Sequence, residues 1–155
     1  MPVAVAALLI GIAAGCRSMT PVAAIAIAAR AGMLALEGSI FEFLEHGYWN
    51  ILACAFALGE LIGDKLPIAP SRKSFVPFSG RLGSGAACGA ILGATRGSLV
   101  VGAIAGAAGA VIGTLGGYEV RKRLAIAIGR DLPAALIEDV VTIALSVAAV
   151  CLCAR

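Results

Sequence analysis

The longest apolar stretch of the sequence, residues 82–118, limits the fold more than any other feature. It holds 37 residues and a single charge, Arg96, which Gly97 and Ser98 follow. A helix needs about 20 mainly apolar residues to cross the hydrocarbon core of a bilayer, so this stretch is long enough for two crossings. We therefore predict a helical hairpin that turns at Arg96.

Three more apolar stretches, at residues 2–29, 48–66 and 132–154, bring the number of predicted crossings to five. Polar residues between Arg17 and Pro21 interrupt the first of them. Since proline lacks a backbone donor and frees a carbonyl one turn earlier, we predict a broken first helix, with two half-helices as the open alternative. The predicted fold class is all-α: a polytopic membrane helix bundle that forms one domain of all 155 residues.

The composition excludes other classes of protein. Hydrophobic residues make up 61% of the chain and charged residues 14%, and the mean hydropathy is +1.01. A soluble domain has about 45–50% apolar and about 25% charged residues, so a soluble enzyme, a nucleic-acid-binding module and a disordered chain are excluded as leading interpretations. The five cysteines lie in apolar runs without a CxxC pair, and there is one histidine. We predict no disulfide, metal site, cofactor or enzymatic activity.

Residues 13–16, Ala-Ala-Gly-Cys, are similar to a lipoprotein cleavage box at the end of an apolar run. No lysine or arginine precedes that run, and apolar residues resume after Pro21. A cleaved signal normally begins with a basic segment. We therefore expect the first apolar stretch to be retained.

Charge asymmetry predicts the orientation of the chain. Segment 30–47 holds three glutamates against one arginine, whereas segments 65–81 and 119–131 are mainly basic. Since basic loops stay in the cytoplasm, we predict a cytoplasmic N-terminus, an external C-terminus and residence in the bacterial inner membrane. Arg121 is expected to be an anchor at the membrane surface, and Arg81 to extend its guanidinium to the membrane interface.

Glycines recur at every fourth position in three runs of the predicted hairpin. They are Gly85, Gly89, Gly93, Gly102, Gly106, Gly109, Gly113 and Gly117. A spacing of four places each run on one helix face and lets backbones approach closely. We expect these faces to pack within the hairpin or against a second copy, and a glycine-lined conduit is the alternative. Because one protomer offers few helices to enclose a path, we predict a homo-oligomer joined through glycine faces.

Ionisable residues inside the apolar stretches are the candidate functional site, because they are costly in a membrane and often mark a pathway. With a rise of about 1.5 Å per residue, Glu60 lies roughly 9 Å and Glu138 roughly 10 Å from the ends of their predicted spans. Two antiparallel spans thus place carboxylates at one depth, close to Arg17. The full predicted cluster is Arg17, Ser18, Thr20, Glu60, Asp64, Lys65, Glu138 and Asp139.

Five short motifs carry a family resemblance. They are Gly15-x-Arg17-Ser18-Met19-Thr20-Pro21, Gly59-Glu60-Leu61-x-x-Asp64-Lys65-Leu66-Pro67, Gly80-Arg81-x-x-Ser84-Gly85, Gly113-Thr114-x-Gly116-Gly117 and Pro133-Ala134-x-x-x-Glu138-Asp139. Over nearly its whole length the chain resembles a family of small bacterial integral-membrane proteins known as a domain of unknown function, number four-one-two-six in that series. The resemblance implies a protein of the bacterial inner membrane, and it implies no substrate, cofactor or catalytic residue.

The sequence leads to two functional hypotheses. The first is translocation of a small solute or ion, with or without proton coupling, in which the carboxylates handle positive charge and Arg17 is their counter-ion. The second is a non-transporting membrane scaffold or accessory subunit whose buried charges only lock helices together. The remaining alternative is that the charged cluster belongs to the exposed cytoplasmic surface. Both hypotheses make the lipid bilayer the partner, involve no nucleic acid, and leave the substrate open.

Overall fold

A computed structural model describes residues 2–63 and 75–154 of the chain. The described part is helical and contains no strand, which confirms the all-α prediction. Its helices are α1 (Pro2–Cys16), α2 (Met19–Arg30), α3 (Gly47–Gly63), α4 (Phe75–Ala94), α5 (Leu99–Ile128) and α6 (Asp131–Cys153), and a 3-10 turn (Glu42–Glu45) precedes α3.

The predicted helical hairpin is present, with α4 and α5 as its arms. The turn between them is closed by hydrogen bonds from the Ser98 amide to the Gly93 carbonyl (2.9 Å) and from the Gly97 amide to the Ala94 carbonyl (3.1 Å). Gly97 has a φ of +69°, the left-handed conformation that glycine tolerates best at the end of a helix. The turn predicted at Arg96 is therefore confirmed, and it is made by the glycine that follows the arginine.

The first apolar stretch is broken at Arg17 and Ser18, as predicted, but the two halves do not form one interrupted span. The end of α1 lies at the start of α6, because Arg17 contacts Asp139. The beginning of α1 lies at the other end of α6, because Ala6 shares an apolar cluster with Val150. Helix α1 therefore runs antiparallel to α6.

Helix α2 reverses the direction of α1. Its first residues lie beside Glu60, near the end of α3, and Gly47, at the start of α3, lies against the side chain of Arg30 at the end of α2. The last turn of α2 joins the same apolar cluster as Ala6 and Val150. The halves are thus two separate antiparallel helices, which matches the two half-helices that the sequence left open and not one interrupted span.

This reversal also corrects the predicted placement of the chain ends. With α1 and α2 antiparallel, α1, α3 and α5 run in one direction and α2, α4 and α6 in the other. The beginning of α1 and the end of α6 therefore lie at the same end of the bundle, not at opposite ends as five crossings require. Pro21 explains the difference, because it stands in the first turn of α2, where a missing amide costs no helical hydrogen bond.

Helices α1, α4 and α5 pack through glycine, and we call their contact region the glycine core. A Cβ at Gly106 would overlap the backbone of Gly85, and one at Gly11 would overlap the backbone of Gly106. The predicted glycines that meet the backbone of another helix or of the hairpin turn in this way are Gly85, Gly89, Gly93, Gly102, Gly106, Gly109 and Gly113, whereas Gly117 faces the side chain of Cys16. Their faces are therefore occupied within one chain, which leaves them no room for the predicted contact with a second copy.

The surface of the bundle is apolar and parts of its interior are polar. Two helices, α5 and α6, are long and apolar enough to cross a membrane, and only about a third of the apolar window of each is buried. Large side chains such as Ile104, Ile112 and Val140 are exposed, whereas Arg17 and Thr142 are fully buried. Apolar faces exposed to this extent differ from the surface of a water-soluble helix, whose polar residues face outward.

Candidate functional site

Arg17 is the centre of the site, and its side chain is completely buried. Its Nε donates to Oδ1 of Asp139 at 2.7 Å, and its Nη2 forms an ion pair with the same carboxylate. Its Nη1 donates to the backbone carbonyl of Glu60 at 3.4 Å. One guanidinium therefore connects the break between α1 and α2 with α6 and α3.

Glu60 binds the start of α2 through its carboxylate. Oε1 accepts the amide hydrogen of Ser18 and Oε2 that of Met19, each at 2.8 Å. The first amides of a helix have no partner within the helix, and the positive end of the helix dipole favours an anion there. Ser18 makes no capping bond with its own hydroxyl. Glu60, from another helix, supplies the cap instead.

We call Arg17, Ser18, Met19, Glu60 and Asp139 the charged junction. Within it, Arg17 and Asp139 are buried, whereas Glu60 is only half-buried. Of the three charged side chains of the junction, Glu60 is thus the one with the most access to the surface. The structure therefore brings together Arg17, Glu60 and Asp139 of the predicted cluster, whereas Glu138, the carboxylate that the sequence placed at the depth of Glu60, pairs with Arg121.

Glu138 belongs to a neighbouring ion-pair group. Its Oε2 lies 3.3 Å from Nη1 of Arg121 on α5, which also contacts both carboxylate oxygens of Asp131 at 3.1 and 2.7 Å. Glu138 is 8% exposed, whereas the side chain of Asp131 is 65% exposed. The sequence predicted Arg121 to be an anchor at the membrane surface, and the structure shows it reaching inward along α6.

A row of hydroxyls extends the polar face of α6 beyond the carboxylates. The hydroxyl of Thr142 donates to the carbonyl of Glu138, and that of Ser146 donates to the carbonyl of Thr142, both at 2.8 Å. Both side chains are fully buried. Thr142 and Ser146 follow Glu138 at successive intervals of four residues, a spacing that is visible in the sequence and places all three on one helix face.

Thr114 on α5 contacts the end of α1, next to the break between α1 and α2. Its hydroxyl lies 3.2 Å from the carbonyl oxygen of Gly15 and 2.8 Å from that of Ala110. Gly15 lies in the last turn of α1, where carbonyls lack partners within the helix. The carbonyl end of α1 is therefore capped by a threonine, and the amide end of α2 by a carboxylate.

The other predicted residues have different outcomes. Ser18 contributes its backbone amide to the site, and the hydroxyl oxygen of Thr20 is buried. Arg81 was expected at the membrane interface but is only 4% exposed, so that prediction is wrong. Asp64 and Lys65 lie outside the described residues. Among residues 2–63 and 75–154, no three His, Cys, Asp or Glu side chains are grouped closely enough to hold a metal ion.

The chain matches no protein-family model, no curated protein and no solved structure. The family resemblance of its five motifs therefore stays a prediction. Any functional interpretation rests on the contacts, burial and charges of the site itself.

Proposed function

We propose that this chain is an integral protein of the bacterial inner membrane that moves a small solute or ion, with Glu60 as its proton-binding group. The membrane placement is supported by two helices of sufficient length and by the apolar surface around a polar interior. An ionisable group in such an interior is costly and is typical of a pathway. The observation that carries the proposal is the Glu60 carboxylate, held by two backbone amides beside a fully buried arginine.

The chemistry of Glu60 supports a proton-linked step. As a carboxylate it accepts two amide hydrogens, but as a carboxylic acid it carries a proton on one oxygen and loses the charge that the helix dipole stabilises. Protonation therefore weakens the attachment of α3 to the start of α2. In the proposed cycle, the charged form holds the junction closed, and the protonated form releases α3 and opens a route to Arg17 and Asp139.

The test is a flux measurement on the full chain in liposomes that contain a pH-sensitive dye. A proton gradient is imposed, with valinomycin and potassium clamping the membrane potential. We expect the wild-type chain to dissipate the gradient, and Glu60→Gln to reduce the rate to that of protein-free liposomes. The control is Glu119→Gln, which removes an exposed carboxylate that pairs only one turn away with Arg123 and should leave the rate unchanged.

The scaffold hypothesis is the second candidate, and the geometry of the ion pairs favours it. Arg17 joins three chain segments through Asp139 and Glu60, which is what a helix lock requires. The wild-type chain could show no flux of protons, sodium or potassium, and Glu60→Gln could lower only the stability of the protein. In that case the transport proposal is wrong, and the scaffold hypothesis is retained.

The proposed orientation in the membrane follows from the positions of the basic segments. Segment 119–131 and the ends of α3 and α4 that flank the basic residues 64–74 lie at the same end of the bundle as the charged junction. Under the positive-inside rule that end faces the cytoplasm, so both chain ends face outward. Alkaline phosphatase fused to either end should be active, and green fluorescent protein fused to either end should be dark. A fluorescent fusion at one end would contradict this orientation.

Self-association stays a prediction, and it has to use other surfaces than the glycine core. Helix α3 offers one candidate face, because a Cβ at Gly59 or Gly63 would have nothing within 4 Å. Four residues apart, these glycines allow close approach of a second helix. Crosslinking of the full chain in native membranes would measure the number of copies.

A further inference from the structure

A cavity of about 300 Å³ lies between α2 and α6, next to the charged junction but separate from its ion pairs. The lining of the cavity is almost entirely apolar and contains no charged side chain. Ile27 and Val147 line it and are each about half exposed, so the cavity opens on the apolar surface of the bundle. A molecule dissolved in the bilayer could enter it from the side.

The polar groups of the lining are few, and one of them is unusual. Thr20 and Ser146 contribute its hydroxyls. The hydroxyl of Ser146 donates to the Thr142 carbonyl, but the Thr20 hydroxyl oxygen is buried and has no hydrogen-bond partner in the described part of the chain.

The position of Thr20 explains why its hydroxyl has no partner. A serine or threonine inside a helix usually donates to the carbonyl one turn earlier, as Thr142 and Ser146 do in α6. Thr20 is the second residue of α2, and the residue four positions before it, Cys16, belongs to α1 on the other side of the reversal. The hydroxyl is therefore left beside the cavity.

We propose that this cavity binds a single-chain aliphatic molecule whose terminal hydroxyl or neutral carboxyl group bonds to Thr20. Ligand sites combine apolar walls with a small number of placed polar groups, and a buried hydroxyl without a partner is stabilised by any ligand that supplies one. The absence of charge in the lining favours a neutral end group. This inference goes beyond the proposed transport, because binding can occur whether or not any solute is moved.

The native Cys151 provides a reporter for the test, because it lines the cavity and is exposed. The full chain in nanodiscs is treated with N-ethylmaleimide, and modification of Cys151 is followed by peptide mapping. The added probes are 1-dodecanol and dodecane, which differ only in the terminal hydroxyl. We expect 1-dodecanol to slow the modification about fivefold more than dodecane, as one additional hydrogen bond of about 1 kcal/mol would.

Two variants test the contribution of the Thr20 hydroxyl separately from that of the cavity volume. Thr20→Val keeps the shape of the side chain and should make the two probes equal. Ala24→Phe fills the cavity and should abolish protection by both, whereas the matched control Ala108→Phe, at an exposed position of α5 outside the lining, should keep the wild-type pattern.

Two results would overturn the proposal. Equal protection of the wild type by both probes would mean that the cavity is an unselective groove for lipid tails. Protection that persists in Ala24→Phe would mean that the alcohol acts on the bilayer and not in the cavity. Modification of Cys151 is measured without any ion gradient. A negative result for the cavity therefore does not contradict the proposed role of Glu60 in transport, and a negative flux result does not contradict ligand binding in the cavity.

Discussion

The glycine core and the charged junction hold the same helix, α1, by opposite means. In the glycine core, α1 touches α5 by backbone contact at Gly11, Gly106 and Gly113, and α5 touches α4 in the same way. In the charged junction, at the end of the helix, α1 leads into a fully buried arginine that reaches α6 and α3 through hydrogen bonds. The comparison teaches that close packing positions this helix, whereas charge fixes the point at which the chain turns back.

The two regions should also respond differently to mutation. Close packing fails when an atom is added, because the neighbouring backbone cannot move aside. A buried ion pair fails when an atom or a charge is removed, because the remaining group stays in a poorly solvating environment. Substitutions of opposite kinds therefore test the two regions separately.

The largest loss is expected for Asp139→Asn in the charged junction. The change keeps the size of the side chain but removes the carboxylate that Nε and Nη2 of Arg17 contact. Breaking a buried ion pair by removing one partner costs about 3–5 kcal/mol, and we expect an effect near the lower end. The free energy of unfolding can be measured by titration with dodecyl sulfate in mixed micelles, followed by circular dichroism.

A double-mutant cycle shows whether that loss belongs to the pair. Arg17→Gln and Asp139→Asn are measured alone and together by the same titration. The double variant should lose much less than the sum of the single changes, since each single change already breaks the contact. Additive losses would mean that the two side chains are not energetically coupled, and the charged junction could not be what fixes the reversal of the chain.

A smaller loss is expected for Gly106→Ala in the glycine core. The added methyl group would overlap the backbone of Gly85 on α4, and overpacking of this kind costs about 1–3 kcal/mol. Gly116→Ala is the matched control on the same helix, because nothing lies within 4 Å of its Cβ position. The control should be neutral or stabilising by up to about 1 kcal/mol, since alanine is the better helix former. Equal losses for both variants would contradict close backbone packing in this region.

The glycine core was the easier region to predict from the sequence. The recurrence of glycine at every fourth position and the run of Arg96, Gly97 and Ser98 are local signals. The hairpin turn lies at the position that this run predicts. Which helix the glycines face is not local information. The close approach of α1 to Gly106 and Gly109 joins distant parts of the chain, which a local spacing pattern does not indicate.

The charged junction could be predicted in its membership but not in its geometry. The cost of burying charge singled out Arg17, Glu60 and Asp139 from the sequence, and the structure brings them together. The apolar composition of residues 2–29 led to Pro21 being assigned to the middle of a span, although proline in a first turn is equally a sign that a helix begins. The cap by Glu60 could not be predicted, because it joins backbone amides to a side chain 41 and 42 positions away.

The smallest effect of the series is expected for Thr114→Val, where the two regions meet. The Thr114 hydroxyl lies on α5 and contacts the carbonyl oxygens of Gly15 and Ala110, so the isosteric change removes one cap from the end of α1 without opening space. A buried hydrogen bond of this kind contributes about 1 kcal/mol. Thr142→Val, which removes a buried hydroxyl that donates to the Glu138 carbonyl one turn earlier in α6, should cost less in the same titration, because its partner lies in the same helix. If Thr114→Val costs as little as Thr142→Val, the end of α1 is held by the glycine core and Arg17 alone, and the threonine only fills space between them.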